Sequence, residues 1–228
     1  MASFHDSELG EIVIRRSASA RSIRLRIGTD GRLIASAPRL MPLFIIKQTV
    51  RASRADLRKL VEASPVRIYC DGDQIGQSHT LHLTSGATLG SRIVDRTLLI
   101  IVPPHTQPDN DQVQACIRQA VIKLLRKESK VYLEVRLATL AKRHGFHYQR
   151  IRYTHAATRW GSCSSHGTIS LNIALMSLPL ELIDYVLVHE LCHTRQMNHS
   201  DKFWQEVAAI DPRYKLHRRL LKTKTPNV

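Results

Sequence analysis

Between Leu182 and Leu191 nearly every residue is apolar, and the run passes straight into His189-Glu190-Leu191-Cys192-His193. If this stretch is a helix, it is apolar almost all round and must be buried by the rest of its domain. Two imidazoles and a carboxylate at the end of a buried helix are costly unless something partners them. Four residues at 3.6 per turn return His193 to within about 40° of His189, so both rings leave one face. That is the H-E-x-x-H arrangement, in which two histidines share a metal ion and the glutamate stands beside it.

A catalytic zinc commonly keeps three protein ligands and one open position for water. His189 and His193 supply two. The third is either His199, just past the expected helix end, or Glu206 from the next predicted helix. His199 is favoured because it needs no long-range assumption, and Asn198 tolerates the left-handed turn that would bring the chain back. Metzincins carry Gly three residues before their third histidine, where this chain has Gln196. With Zn2+ lowering the pKa of its bound water toward about 7, Glu190 is the expected general base for hydrolysis.

The remaining periodicities predict an α+β fold. Glu11 to Arg15 and Ser22 to Gly28 alternate apolar with basic residues and read as strands, and Asp30-Gly31 turns the second into Arg32 to Ala37, giving a hairpin. Apolar spacing predicts a helix from Pro42 to about Ala63. Strand patterns come next at 66–70, 79–84, 91–95 and 98–102, and Pro103-Pro104 closes the set. His105 to Asn110 is the best linker, which divides the chain into a β-rich N-terminal domain with one helix, 1–108, and a catalytic α+β domain, 109–228. In the second, Val113 to Leu140 is helical, capped by Asp109 or Asp111 and ended by Gly145. Two strands, 148–153 and 168–172, flank a small-residue loop before the motif helix, which should start near Leu178 with Ser177 as its cap. This strand segment is placed to hold an extended peptide by strand addition, or merely to pack.

The formal charge of +15 is unevenly spread: residues 111–160 hold 11 basic and 3 acidic side chains, whereas 161–199 hold 1 and 3. A field of this kind either draws phosphate-bearing or acidic partners, nucleic acid among them, or simply keeps the surface solvated. The tail from Pro212 is basic and amphipathic and carries the same two readings. No apolar run is long enough for a signal peptide or a membrane span, and the four cysteines form no C-x-x-C pair. A cytoplasmic protein with free thiols is expected. Tyr214, His217, Arg159 and Asn172 can each stabilise an oxyanion, Trp160 and Trp204 can line a cleft, and Cys163 can approach a metal.

Taken together, Arg159-Trp-Gly-Ser-Cys163, Ile169-Ser-Leu-Asn172, Ile183-Asp-Tyr-Val186, the H-E-L-C-H run, Asn198-His-Ser200 and Phe203-Trp204 resemble the YgjP-like metallopeptidase family. Arg24-Leu-Arg, Asp30-Gly31 and Ser36-Ala-Pro38 extend the resemblance over most of the chain. It implies a zincin-like C-terminal core, distantly similar to SprT-like proteases that act on DNA-bound protein, with His189, His193 and His199 as zinc ligands and Glu190 as base. The substrate it implies is a peptide or protein. Nucleotide pyrophosphatase activity, also attached to YgjP-like proteins, is the second reading of the same site. A nucleic-acid-binding protein with a structural metal is the third, and the intact Glu190 argues against it.

Overall fold

Alternation along the early strands puts Ile12, Ile14, Leu33, Ala35 and Ala37 on one buried face, and this face organises the first part of the molecule. The computed structural model describes residues 2–28, 32–62, 67–226 and 228, with the side chains at 60 and 62 left aside. Contacts divide the chain into two units, Met1–Arg67 and Ile68–Val228. Among the described residues, no helix is long and apolar enough to cross a membrane.

The first unit is a four-stranded sheet, β1 (Ala2–Asp6), β2 (Gly10–Ser17), β3 (Arg24–Ile27) and β4 (Leu33–Pro38), in the order β1-β2-β4-β3. β3 and β4 pair antiparallel, as expected of a hairpin; the expected turn at Asp30-Gly31 lies outside the described residues. β1, read as a polar start, is a strand that pairs with β2. Ala35 and Ala37 are fully buried, and small side chains there let α1 (Leu43–Ala52) seat Ile46 and Val50 on the sheet. The helix expected over 42–63 is two helices. It breaks at Ser53, whose N–H donates to the carbonyls of Thr49 and Val50, and α2 (Arg54–Glu62) starts anew. The expected end near Ala63 lies outside the described residues.

Asp6, only 5% exposed, accepts from the Glu8 and Leu9 N–H groups and from Arg54 Nη2 at 2.8 Å. The Arg54 bond holds its carboxyl below the usual carboxylate value of 3.8. Asp6→Ala should cost about 2 kcal/mol of stability at neutral pH, read by urea denaturation of the full chain. Because the folded pKa is the lower one, this contribution is whole above 3.8 and is lost as pH falls through the folded value, so wild type and variant should converge in acid.

The second unit begins with a four-stranded sheet, β5 (Gln74–Ile75), β6 (His79–Ser85), β7 (Gly90–Val94) and β8 (Thr97–Val102), in the order β5-β6-β8-β7. Of the strand expected at 66–70, residue 66 lies outside the described residues and 67–70 make no ladder. A side chain takes the partner strand's place: the Tyr69 N–H donates to Gln114 Oε1 and its carbonyl accepts from Gln114 Nε2, both at 2.9 Å. Leu81, Leu98 and Ile100 share one core with Val113, Ile117 and Leu124 of α3 (Asp111–His144), so the sheet belongs with the long helix after it. The division therefore falls at Arg67 and Ile68 rather than at the linker near 108. The residue capping α3 is Asn110, which accepts from the Gln112 N–H, in place of Asp109 or Asp111; Gly145 ends the helix in the left-handed region, φ 67°.

Next comes a three-stranded sheet, β9 (Arg150–Thr154), β10 (Gly161–Cys163) and β11 (Thr168–Asn172), in the order β10-β11-β9. β9 runs parallel to β11, and β10 antiparallel to it at the sheet's edge. A 3-10 turn over Ile173–Ser177 leads into α4 (Leu180–Cys192), then α5 (Asp201–Ile210) and α6 (Tyr214–Lys222). Ser177 closes the 3-10 turn, and Pro179 occupies the α4 N-cap position instead. Arg136 of α3 ties α4 down by a two-pronged bond to Asp184, at 2.7 and 2.6 Å.

Candidate active site

Burial all round α4 follows from its composition: Leu182, Ile183, Val186, Leu187, Val188 and Leu191 are all in the core. His189 lies in its last turn and His193 at its C-cap, and the His193 N–H donates to the His189 carbonyl. Arg195 then donates to the Gly145 carbonyl at 2.6 Å and stacks over Phe146, which fastens the turn after α4 to the end of α3. The returning chain brings in His199. Phe203 of α5, fully buried, stacks on His193 with ring centroids 4.5 Å apart and meets His189 and His199 edge-on at 4.9 Å.

These contacts place His189 Nε2 3.2 Å from His193 Nε2 and 3.1 Å from His199 Nε2. His193 Nδ1 faces the Gln196 carbonyl at 2.9 Å. A carbonyl only accepts, so His193 Nδ1 donates to it, and Nε2 is the atom turned toward His189. Burial, reinforced by the charges of His193, His199 and Arg218, pushes His189 down to about 3, and burial with His193 and Arg218 lowers His199. The two lowered rings, His189 and His199, therefore crowd uncharged nitrogens together. His189 Nδ1 is buried with no hydrogen-bond partner among the described residues, so protons alone leave the cluster under-satisfied. Two imidazole nitrogens on a tetrahedral zinc at about 2.0–2.1 Å stand about 3.3 Å apart, close to the spacing found here. The three histidines fit a metal ion.

Glu190 is 5% exposed, and its Oε2 has no hydrogen-bond partner among the described residues. Burial pushes its carboxyl up to about 8. Its wall is Gly161 of β10, where an added Cβ would lie 2.6 Å from Oε1 and 2.8 Å from Cγ and Cδ. Sequence reasoning does not single out this glycine; its only signal is the Trp-Gly-Ser-Cys run, which reads as a small-residue loop.

The other predicted residues separate. Glu206 lies on α5 outside the histidine group, with a buried, partnerless Oε2 of its own. Asn172 is committed to structure: its amide donates to the Ala156 and Arg159 carbonyls and its Oδ1 accepts from the Ala174 N–H. Arg159 is exposed. His217 Nδ1 meets Asp211 Oδ2 at 2.7 Å, and its ring lies against Tyr185, which in turn lies 5.9 Å from His189. In the sequence Tyr185 is hidden as one more apolar residue of the helix. Trp204 stacks between partners, with His199 at 5.5 Å and Tyr214 at 5.4 Å, and the Arg218 guanidinium lies 4.6 Å from its ring. Cys163 packs on the core, its thiol pushed up to about 11 by burial and Glu190, and Cys192 is fully buried.

A family model described as YgjP-like, metallopeptidase domain, matches residues 21–224. No curated protein matches the chain. Among solved structures, the metallopeptidase zymogen of Pyrococcus abyssi abylysin aligns at 29% identity over 40% of this chain and 91% of that one, with a TM-score of 0.37.

Proposed function

The chain belongs to the YgjP-like metallopeptidase family, and from that premise we propose that it is a zinc-dependent hydrolase cutting peptide bonds at the centre formed by His189, His193 and His199. The observation that carries this reading is the convergence of three imidazole Nε2 atoms beside a buried, partnerless carboxyl. Zinc held there supplies Lewis acidity and makes water acidic enough to ionise near neutral pH.

Everything else is the work of the chain. Glu190 takes the proton from the attacking water and passes it to the leaving amine, a role for which its buried carboxyl, with Oε2 uncommitted to any hydrogen bond among the described residues, is free. The free edge of β10 next to α4 offers backbone groups to an extended substrate. Phe203 and the stacked Trp204 hold the imidazoles in place. Four unpaired cysteines support a reducing compartment such as the cytoplasm.

The test joins metal content to substrate. Elemental analysis should give about one zinc per chain, retained in Glu206→Ala and lost in His199→Ala. The purified protein should cut an unfolded protein, with acceleration by single-stranded DNA if the basic surface recruits substrates, and chelation should stop it. Pyrophosphate release from nucleoside triphosphates with no proteolysis would replace this reading with the nucleotide one. Zinc lost from Glu206→Ala and kept in His199→Ala would overturn the ligand set.

A further inference from the structure

A cleft of about 450 Å3 is lined, among the described residues, by Trp160, Arg218, Leu221, Lys222 and Lys224 among others and by no acidic side chain, and its Arg218 lies over the Trp204 ring that stacks on His199. We propose that this cleft binds a carboxylate on the part of the substrate that lies C-terminal to the bond being cut. The inference rests on the metallopeptidase reading above and names a substrate class for it.

Position comes first. Trp160 immediately precedes Gly161, the residue against Glu190, so the cleft begins at the N-terminal end of β10. β10 is an edge strand paired with β11. An extended peptide that adds to this edge antiparallel runs from the Cys163 end toward the Gly161 end, which carries its C-terminal half to the cleft. The other wall is held at the same centre: Arg218 lies over the Trp204 ring, and that ring stacks on His199.

Chemistry comes second. The cleft combines an indole face and Leu221 with one guanidinium and two ammonium groups, and none of the three cations has an acidic partner within salt-bridge distance in the described residues. A planar guanidinium fixed by stacking presents its fork to a carboxylate with little further loss of freedom. Two sources carry this group, an acidic side chain and the free C-terminus of a peptide. Single-stranded nucleic acid would also suit an aromatic face among cations, and what favours a peptide is the position of the cleft at the end of the edge strand that carries Gly161 against Glu190.

Binding can be tested without catalysis, on full-length zinc-loaded Glu190→Gln protein. Fluorescence polarisation would compare labelled peptides of one backbone sequence: amidated and neutral, amidated with Glu at each of the last three positions in turn, and neutral with a free C-terminus. At least one carboxylate-bearing peptide should bind about tenfold more tightly than the neutral one, and Lys222→Glu with Lys224→Glu should bring that ratio close to one. Arg218→Gln, which keeps a planar polar group over Trp204, should do the same. Which peptide gains tells the side-chain source from the terminal one. Equal binding of all peptides, or a ratio that survives both variants, would sink the proposal. So would a labelled single-stranded oligonucleotide whose binding the charge reversal abolishes while the peptide ratio stays at one. None of these readings needs cleavage, so a failure of the hydrolase assay remains a separate result.

Discussion

Glu190→Gln is expected to lower cleavage of an unfolded protein by about a thousandfold, within the range a general base contributes, while the zinc content stays at one per chain. The amide keeps the side chain's size and hydrogen-bonding shape but cannot take a proton from water. It also removes a burial cost. A carboxyl raised from 4.5 to about 8 opposes folding progressively as pH climbs between those values, because the folded state resists ionisation that the unfolded state accepts. Chelated wild-type protein should therefore lose stability relative to Glu190→Gln between pH 5 and 8, by at most about 4 kcal/mol. Denaturation curves at the two pH values measure this directly. Undiminished turnover in the variant would remove Glu190 from the chemistry, and lost zinc would make it a ligand.

Gly161→Ala should cost about a hundredfold in turnover, with zinc retained. The added methyl would overlap Glu190 at 2.6–2.8 Å, and that side chain is only 5% exposed, at the end of a buried helix. Relief comes only from turning the carboxylate away or from pushing β10 off α4. A displacement of about 1 Å at a reacting group is enough for a loss of this size. Gly90→Ala, where the new methyl meets nothing within 4 Å, controls for the substitution itself. Equal activity in the two variants would show that Glu190 has room to move, and the tight wall would have no catalytic meaning.

The α+β character was legible because it rests on local patterns: alternation in β2, β3 and β6, an apolar run in β8, 3.6-residue spacing through α3 and an almost wholly apolar α4. Errors gathered where a side chain or one backbone group decides an outcome. Gln114 supplies to Tyr69 the two hydrogen bonds a neighbouring strand would have made, and no pattern within 66–70 announces that. Ser53 interrupts a helix whose apolar spacing continues across the break. The division between units moved to Arg67 because Leu81, Leu98 and Ile100 pack on α3, a pairing of distant segments that the Pro-rich linker conceals.

What the sequence by itself determined is the pair His189 and His193 on one helix face with Glu190 beside them, since four residues along a helix are neighbours whatever the rest of the chain does. Tertiary structure alone decided which third group joins them. His199 reaches the pair because Arg195 pins the turn to the end of α3 and Phe203 packs under the rings, while Glu206 stays outside the group. It also set Gly161 against Glu190 and Arg218 over Trp204. Those contacts join segments far apart along the chain, and only the packing of one buried core brings them within reach.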